Sequence, residues 1–183
     1  MSRSGHALML VGPRPANPPP SLQHHYSAAA DGDHLAHHLI LIIPDVGLTI
    51  APSLIAFMQR HGEVGEVCDY RPTNHDPTEV AWGILGFVTS PAWGYGRVTI
   101  IASSPALGLV NALLPGLTAA CRIAKINLIL IDAGNETPST VSDWQASSPQ
   151  RHHLVEIDST DVQTCETAVE AALRRFARAD SEE

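Results

Sequence analysis

The chain has 183 residues, of which 44% are hydrophobic and 16% charged, and its formal net charge is −8. A chain of this length and composition folds as one domain around a hydrophobic core. Its acidic balance excludes the basic stripe that a nucleic-acid backbone needs, because the arginines are scattered except for Arg174, Arg175 and Arg178 near the end. Three cysteines outside any CxxC spacing indicate neither a disulfide framework nor a zinc site. No secretory signal is visible, so we expect a cytoplasmic protein. We also expect no metal and no cofactor.

The first part of the chain differs from the rest in composition. It is rich in proline, histidine and alanine, and such a stretch buries too little apolar surface to order itself. We predict a mobile leader over residues 1–36, a domain over 37–179 and a tail over 180–183. The apolar run at 7–11 fits either a strand or part of the leader. Aspartates and histidines at the end of the leader are of metal-binding types, but we interpret them as incidental surface residues.

From residue 38 onward, apolar strand-like runs alternate with helical segments. The predicted strands cover residues 38–43, 66–70, 97–102, 126–132 and 152–158, and the predicted helices cover residues 52–61, 77–89, 105–122 and 161–178. This alternation is typical of βα units on a parallel sheet that is covered on both faces. We therefore predict an α/β fold, a three-layer sandwich with a mainly parallel central sheet.

Two local patterns bear on these elements. Asp76, Pro77 and Glu79 occupy the N-cap, first and third positions of a good helix start. Residues 98–121 carry no charge and are long enough to span a bilayer. Serine, asparagine and proline residues interrupt that run, which favours a buried strand turning into a buried helix. We expect no membrane span.

Ligands bind outside the carboxyl ends of parallel strands, so the loops that follow the strands are the places to look. After the first predicted strand, Asp45, Val46 and Gly47 form a turn in which glycine lets the backbone run close to a ligand. Such a turn supplies one oxyanion-hole amide in a hydrolase. An ordinary strand-to-helix turn is the alternative.

After the third predicted strand, the chain passes through Ser103, Ser104 and Pro105 into a helix. A nucleophile elbow has this architecture, with small residues two positions before and after the serine. Around Ser104 these residues are Ala102 and Ala106. Pro105 has no N–H, and the loss of one oxyanion donor costs about 3–4 kcal/mol. A plain helix start, with Ser104 as N-cap and Pro105 as first residue, explains the same pattern.

The fourth predicted strand ends at Asp132, a candidate triad acid or a turn cap. Together, these segments resemble the thioesterase branch of the α/β-hydrolases, which releases products from polyketide and peptide assembly lines. The shared pattern is a strand ending in a glycine loop, a strand–serine–helix turn after "RVT", a strand "LILID", and a closing strand and helix. The resemblance implies a reduced α/β-hydrolase fold, with Ser104 as nucleophile and Asp132 as triad acid.

The family's histidine lies between the last strand and the last helix, where this chain has Asp161 and no histidine. An aspartate does not normally activate a serine at neutral pH. His152 and His153 begin the last strand, so we place them at the opposite edge of the sheet. The family's lid and one strand–helix unit are also missing, which predicts a shallow or open pocket.

Three functional hypotheses result. The first is a degenerate thioesterase-like domain that acts as an accessory protein, or that binds an acyl carrier or another acylated ligand; fold analogy supplies this ligand class. Its candidate binding residues are Asp45, Val46, Gly47, Ser103 and Pro105. The second is an active acyl (thio)ester hydrolase that uses Ser104 and Asp132. The third is a doubly wound protein-interaction domain of a larger assembly.

Overall fold

The computed structural model describes residues 6–12, 38–43, 62–69, 75–89, 95–132, 139–159 and 161–179. The strands in this part of the chain are β1 (His6–Gly12), β2 (His38–Ile42), β3 (Gly62–Asp69), β4 (Arg97–Ser103), β5 (Lys125–Ile131) and β6 (His152–Ile157). The helices are α1 (Pro77–Val88), α2 (Leu107–Ala119), α3 (Ser139–Ser147) and α4 (Val162–Ala179), with a 3-10 turn (Ser104–Ala106) between β4 and α2.

The strands form one parallel sheet of six, in the order β3-β1-β2-β4-β5-β6. The predicted α/β class and parallel sheet are thereby confirmed. The apolar run at 7–11, for which the sequence allowed two interpretations, lies in β1 and pairs with β2 and β3. The strand predicted at 66–70 begins earlier, at Gly62.

Some predictions fall outside the described residues. These are the helix at 52–61, most of the leader, and the tail at 180–183. The domain boundaries therefore stay predictions.

Helices cover both faces of the sheet. In β2, Leu39 and Leu41 belong to the core shared with α1, α2 and α3, whereas Ile40 and Ile42 belong to the core shared with α4. β4 and β5 are buried along almost their whole length. Burial on both faces explains why these two strands read as continuous apolar runs rather than as alternating ones.

The start of α1 agrees with the sequence prediction. The Asp76 carboxylate accepts a hydrogen bond of 2.8 Å from the Thr78 N–H, and Pro77 opens the helix. Further along, α1 packs against α2 near Gly116, where an added Cβ would lie 2.4 Å from Cδ1 of Leu85. Glycine at this position permits the close approach of the two helices.

The uncharged run at 98–121 forms most of β4, the 3-10 turn and α2. This confirms the predicted strand that turns into a buried helix. Within the described parts of the chain, no helix has the length and apolar character that a membrane crossing requires.

α3 is a helix that the sequence pattern did not predict. The indole N–H of Trp144 donates to Oγ1 of Thr118 at 3.2 Å, and the Trp144 ring stacks on that of His152 with centroids 4.4 Å apart. Nδ1 of His152 lies 2.7 Å from the Trp144 carbonyl oxygen. Contacts with α2 and β6, rather than local propensity, hold α3 in place.

Candidate functional site

The strand order reverses between β2 and β4. The next strand after β2 in the chain is β3, which lies to one side of this pair, whereas β5 follows β4 on the other side. In open parallel sheets, ligands bind at the carboxyl ends of the strands at such a switch point. Ser103 closes β4 at this place. Asp45, Val46 and Gly47, which follow β2, lie outside the described residues and stay predictions.

The last residue of β4, Ser103, is almost completely buried. It is 2% exposed, and its hydroxyl has no hydrogen-bond partner within the described part of the chain. Ser103 pairs in register with Ile131, which belongs to the core under α4, so Ser103 lies on the α4 face of the sheet. A buried hydroxyl without a partner is unusual in a folded protein and calls for an explanation.

Ser104 begins the 3-10 turn and is exposed, as is Pro105. The N-cap position belongs to Ser103, one residue earlier than predicted, and its side chain makes no capping hydrogen bond. A nucleophile serine sits on a sharp, strained turn. Among the described non-glycine residues, a left-handed backbone occurs at Asp132 and not at Ser104. The backbone at Ser104 is therefore that of a helix start.

Asp132 follows β5 with a left-handed φ of 50°, a conformation that aspartate tolerates better than most residues. Its N–H donates to the Ile157 carbonyl at 2.8 Å. Because Ser103 and Ile131 are paired in register, Ser104 and Asp132 follow as neighbours on the carboxyl edge. The structure thus brings the predicted nucleophile and the predicted acid to adjacent strand ends.

Asp161 stands where the resemblance places a histidine, and it caps α4. Its Oδ2 accepts hydrogen bonds from the Thr164 N–H at 2.9 Å and from the Thr164 hydroxyl at 2.7 Å. These hydrogen bonds lower the pKa of Asp161. A carboxylate held in this way serves the helix and is a poor proton acceptor.

The carboxyl edge near α4 also carries a thiol. Burial, followed by the negative charges of Asp161 and Asp132, raises the pKa of Cys165. The Cys165 thiol lies 3.2 Å from the Ser159 carbonyl oxygen. Burial and a raised pKa make a thiol a weaker nucleophile, so Cys165 is a poor candidate for an alternative nucleophile.

Histidines lie at both edges of the sheet. His38 begins β2, and His152 and His153 begin β6, at the edge opposite Ser104. His75 lies just ahead of α1, and an added Cβ on Gly108 in the first turn of α2 would lie 3.7 Å from Cγ of Pro77. The start of α1 therefore lies beside the start of α2.

His75 is thus the described histidine on the same side as the candidate site, and sequence reasoning missed it. The signal was available, because a helix that leads into a parallel strand begins at the carboxyl edge of the sheet. Within the described residues, no group of three or more His, Cys, Asp and Glu side chains is arranged to hold a metal ion.

Comparison with known proteins gave no match among protein-family models, curated proteins or solved structures.

Proposed function

We propose that the chain is a thioesterase-like α/β domain, of reduced hydrolase type, that binds an acylated ligand or carrier at the carboxyl ends of β2 and β4 without hydrolysing it. One observation carries this proposal. β4 runs into an unstrained helix start at Ser104 and Pro105, which supplies neither an elbow nor an amide after the serine.

The missing groups are the ones that hydrolysis needs most. Loss of a single oxyanion donor lowers kcat by about 100-fold to 1000-fold, and Pro105 has no N–H to donate. The second missing group is a general base, because the Asp161 carboxylate accepts hydrogen bonds from Thr164. The two losses together support binding rather than turnover.

The feature that supports binding is the Ser103 hydroxyl. It is buried at the switch point and has no partner in the described part of the chain. Leaving such a group unpaired costs about 1–3 kcal/mol, so an acceptor oxygen from a ligand would be stabilising there. A thioester carbonyl has an oxygen of this kind, and the resemblance to thioesterases suggests that class.

The test combines a reactive probe with a binding measurement. The protein is incubated with a fluorophosphonate and with a nitrophenyl acyl ester, alongside Ser104→Ala and the exposed control Ser142→Ala on α3. We expect no labelling and no ester hydrolysis in any of the three. Labelling that is lost in Ser104→Ala but kept in Ser142→Ala would overturn the proposal.

Binding is measured by calorimetry with a decanoyl pantetheine thioester. We expect saturable binding that Ser104→Trp weakens, because the new side chain projects from an exposed position at the edge. Ser142→Trp should bind as the unmodified chain does. Absence of binding to the unmodified chain would refute the ligand class.

A second candidate, an active acyl hydrolase, is favoured by one observation. His75 precedes α1, whose start lies beside the first turn of α2, and Ser104 and Asp132 directly follow the ends of neighbouring strands. If the probe does label Ser104, His75→Ala is expected to slow the labelling. His153→Ala, at the opposite edge, is the matched control and should leave the rate unchanged.

A further inference from the structure

A group of basic side chains lies at the amino edge of the sheet, opposite the candidate site. Arg97 and Lys125 begin β4 and β5 and are direct register partners. The next residues, Val98 and Ile126, belong to the core under α1, α2 and α3. Because side chains alternate along a strand, Arg97 and Lys125 lie on the other face, which α4 covers.

α4 and β6 bring two more groups to this face. The ring of His153 lies 6.1 Å from that of Phe176 on α4, centroid to centroid, and Arg175 is the residue before Phe176. Burial lowers the pKa of His153, and the positive charges of Lys125, Arg175 and His152 lower it further. We call Arg97, Lys125, His153 and Arg175 the basic cluster.

Polar groups lie next to the basic cluster on the same face. Nε2 of His38 is 2.7 Å from Oγ1 of Thr99, and the Asn127 amide donates to the same oxygen at 3.0 Å. Asn127 pairs in register with His153. This row is buried and hydrogen-bonded, so it forms a polar floor beside the cluster.

The arrangement is unexpected in so acidic a protein. A chain with a net charge of −8 places its one lysine and two of its ten arginines together, with Arg97 directly opposite Lys125. Like charges opposite each other on neighbouring strands repel. Both side chains also have other interactions in the fold, so an anion would add a shared partner rather than satisfy bare charges.

We propose that the basic cluster binds the phosphate group of a small ligand. A guanidinium and an ammonium group form charge-assisted hydrogen bonds to phosphate oxygens, and a dianion is stabilised by several cations that converge from different elements. The site lies at the other edge of the sheet from Ser104. It therefore stands or falls independently of the proposed acyl-ligand function.

Lys125 supplies a direct probe because it is the only lysine in the sequence. Reductive methylation with isotopically labelled formaldehyde keeps its charge and gives one lysine signal in NMR spectra. The methylated protein is titrated with inorganic phosphate, and in a parallel series with glycerol phosphate, at constant ionic strength set by chloride. We expect a saturable shift of the Lys125 signal. Comparison of the two dissociation constants shows whether the site prefers free phosphate or an organic phosphate ester.

Two neighbouring arginines on α4 give a matched pair of variants. Arg175 belongs to the cluster, whereas Arg174 pairs with Glu170 one turn earlier. Arg174 and Arg175 are both exposed. By equilibrium dialysis with radiolabelled phosphate, Arg175→Gln should weaken binding about tenfold. Arg174→Gln should bind within about twofold of the unmodified chain, since it removes only general charge.

The proposal is overturned if phosphate causes no saturable shift of Lys125. It is also overturned if Arg174→Gln and Arg175→Gln lose affinity equally, because that result would mean a diffuse field rather than a site. Circular dichroism checks that the variants fold. If Arg175→Gln does not fold, Lys125→Gln is measured in the same dialysis assay. The proposal is then overturned if Lys125→Gln and Arg174→Gln lose phosphate affinity equally.

Discussion

Arg151 closes the C-terminal end of α2, and its removal should be the most costly change of a single partly buried charge in the described structure. The three nitrogens of its guanidinium group donate to four carbonyl oxygens, those of Leu117 (3.2 Å), Thr118 (2.6 Å), Ala120 (2.9 Å) and Ile123 (2.9 Å). The last carbonyls of a helix have no partner inside the helix. Backbone N–H groups reach two of these carbonyls, from Ala120 to Leu117 and from Ile123 to Ala120, and Arg151 adds donors to all four.

The magnitude follows from these contacts. Arg151→Met keeps the apolar stem and removes all of the donors. Hydrogen bonds to charged groups contribute about 1.5–3 kcal/mol each. Leu117 and Ala120 keep the backbone N–H groups of Ala120 and Ile123 as donors. If water replaces the donor at Thr118, only the acceptor of the buried residue Ile123 is counted, and the loss is about 1.5–3 kcal/mol. For a chain of this size, that corresponds to a fall in Tm of about 3–12 °C.

Urea unfolding monitored by circular dichroism measures the effect. Arg151→Lys should recover only part of the loss, because one ammonium group cannot reach carbonyls that a planar fork spans. Arg174→Met is the control, since an exposed pair with Glu170 on one helix contributes about 0.5 kcal/mol or less. The reasoning would be refuted if Arg151→Met and Arg174→Met unfolded at the same urea concentration, or if lysine at 151 fully restored stability.

Gly116→Ala should lower the free energy of unfolding by about 1–3 kcal/mol, because the new methyl group meets Leu85. Gly86→Ala, on the exposed side of α1 where nothing lies within 4 Å of an added Cβ, should instead stabilise by up to about 1 kcal/mol; the same sign for both would contradict the packing assigned to α1 and α2. Burial and the charge of Lys125 lower the pKa of His153, so its contribution to stability is fully present above about pH 6.5 and is lost as the pH falls towards the folded-state pKa. Calorimetry in phosphate-free buffer should show a smaller loss of Tm between about pH 7.5 and pH 5.5 in His153→Gln than in the unmodified chain, and equal losses would exclude this role.

Much of the fold could be predicted because the local sequence patterns agree with the positions that the segments take in the sheet and its helices. The apolar run that becomes β5 is buried along most of its length, and Asp76 caps α1 as its position before Pro77 predicts. The strand-to-helix passage at Ser104 was also predictable, since proline is favoured in the first turn of a helix. What the pattern could not give was the exact N-cap, which is Ser103.

α3 and the role of Arg151 were not predictable for a physical reason. In α3, the buried side chains are Val141 and Trp144, which is too few for a helical period to stand out. Its position depends on Thr118, which lies 26 residues before Trp144, and on His152 in the strand that follows α3. Arg151 likewise bonds to carbonyls about thirty residues away. Contacts of this range leave no trace in local composition.

Among the described histidines, His75 is the one that lies on the same side of the sheet as Ser104. Nδ1 of His152 lies against the Trp144 carbonyl and its ring stacks on that indole, and His38 is engaged with Thr99. These contacts give both rings a structural role at the amino edge of the sheet. A hydrolase that used one of the described histidines as its base would therefore depend on His75. Labelling of Ser104 that survives His75→Ala would leave the hydrolase hypothesis without a base in the described part of the chain.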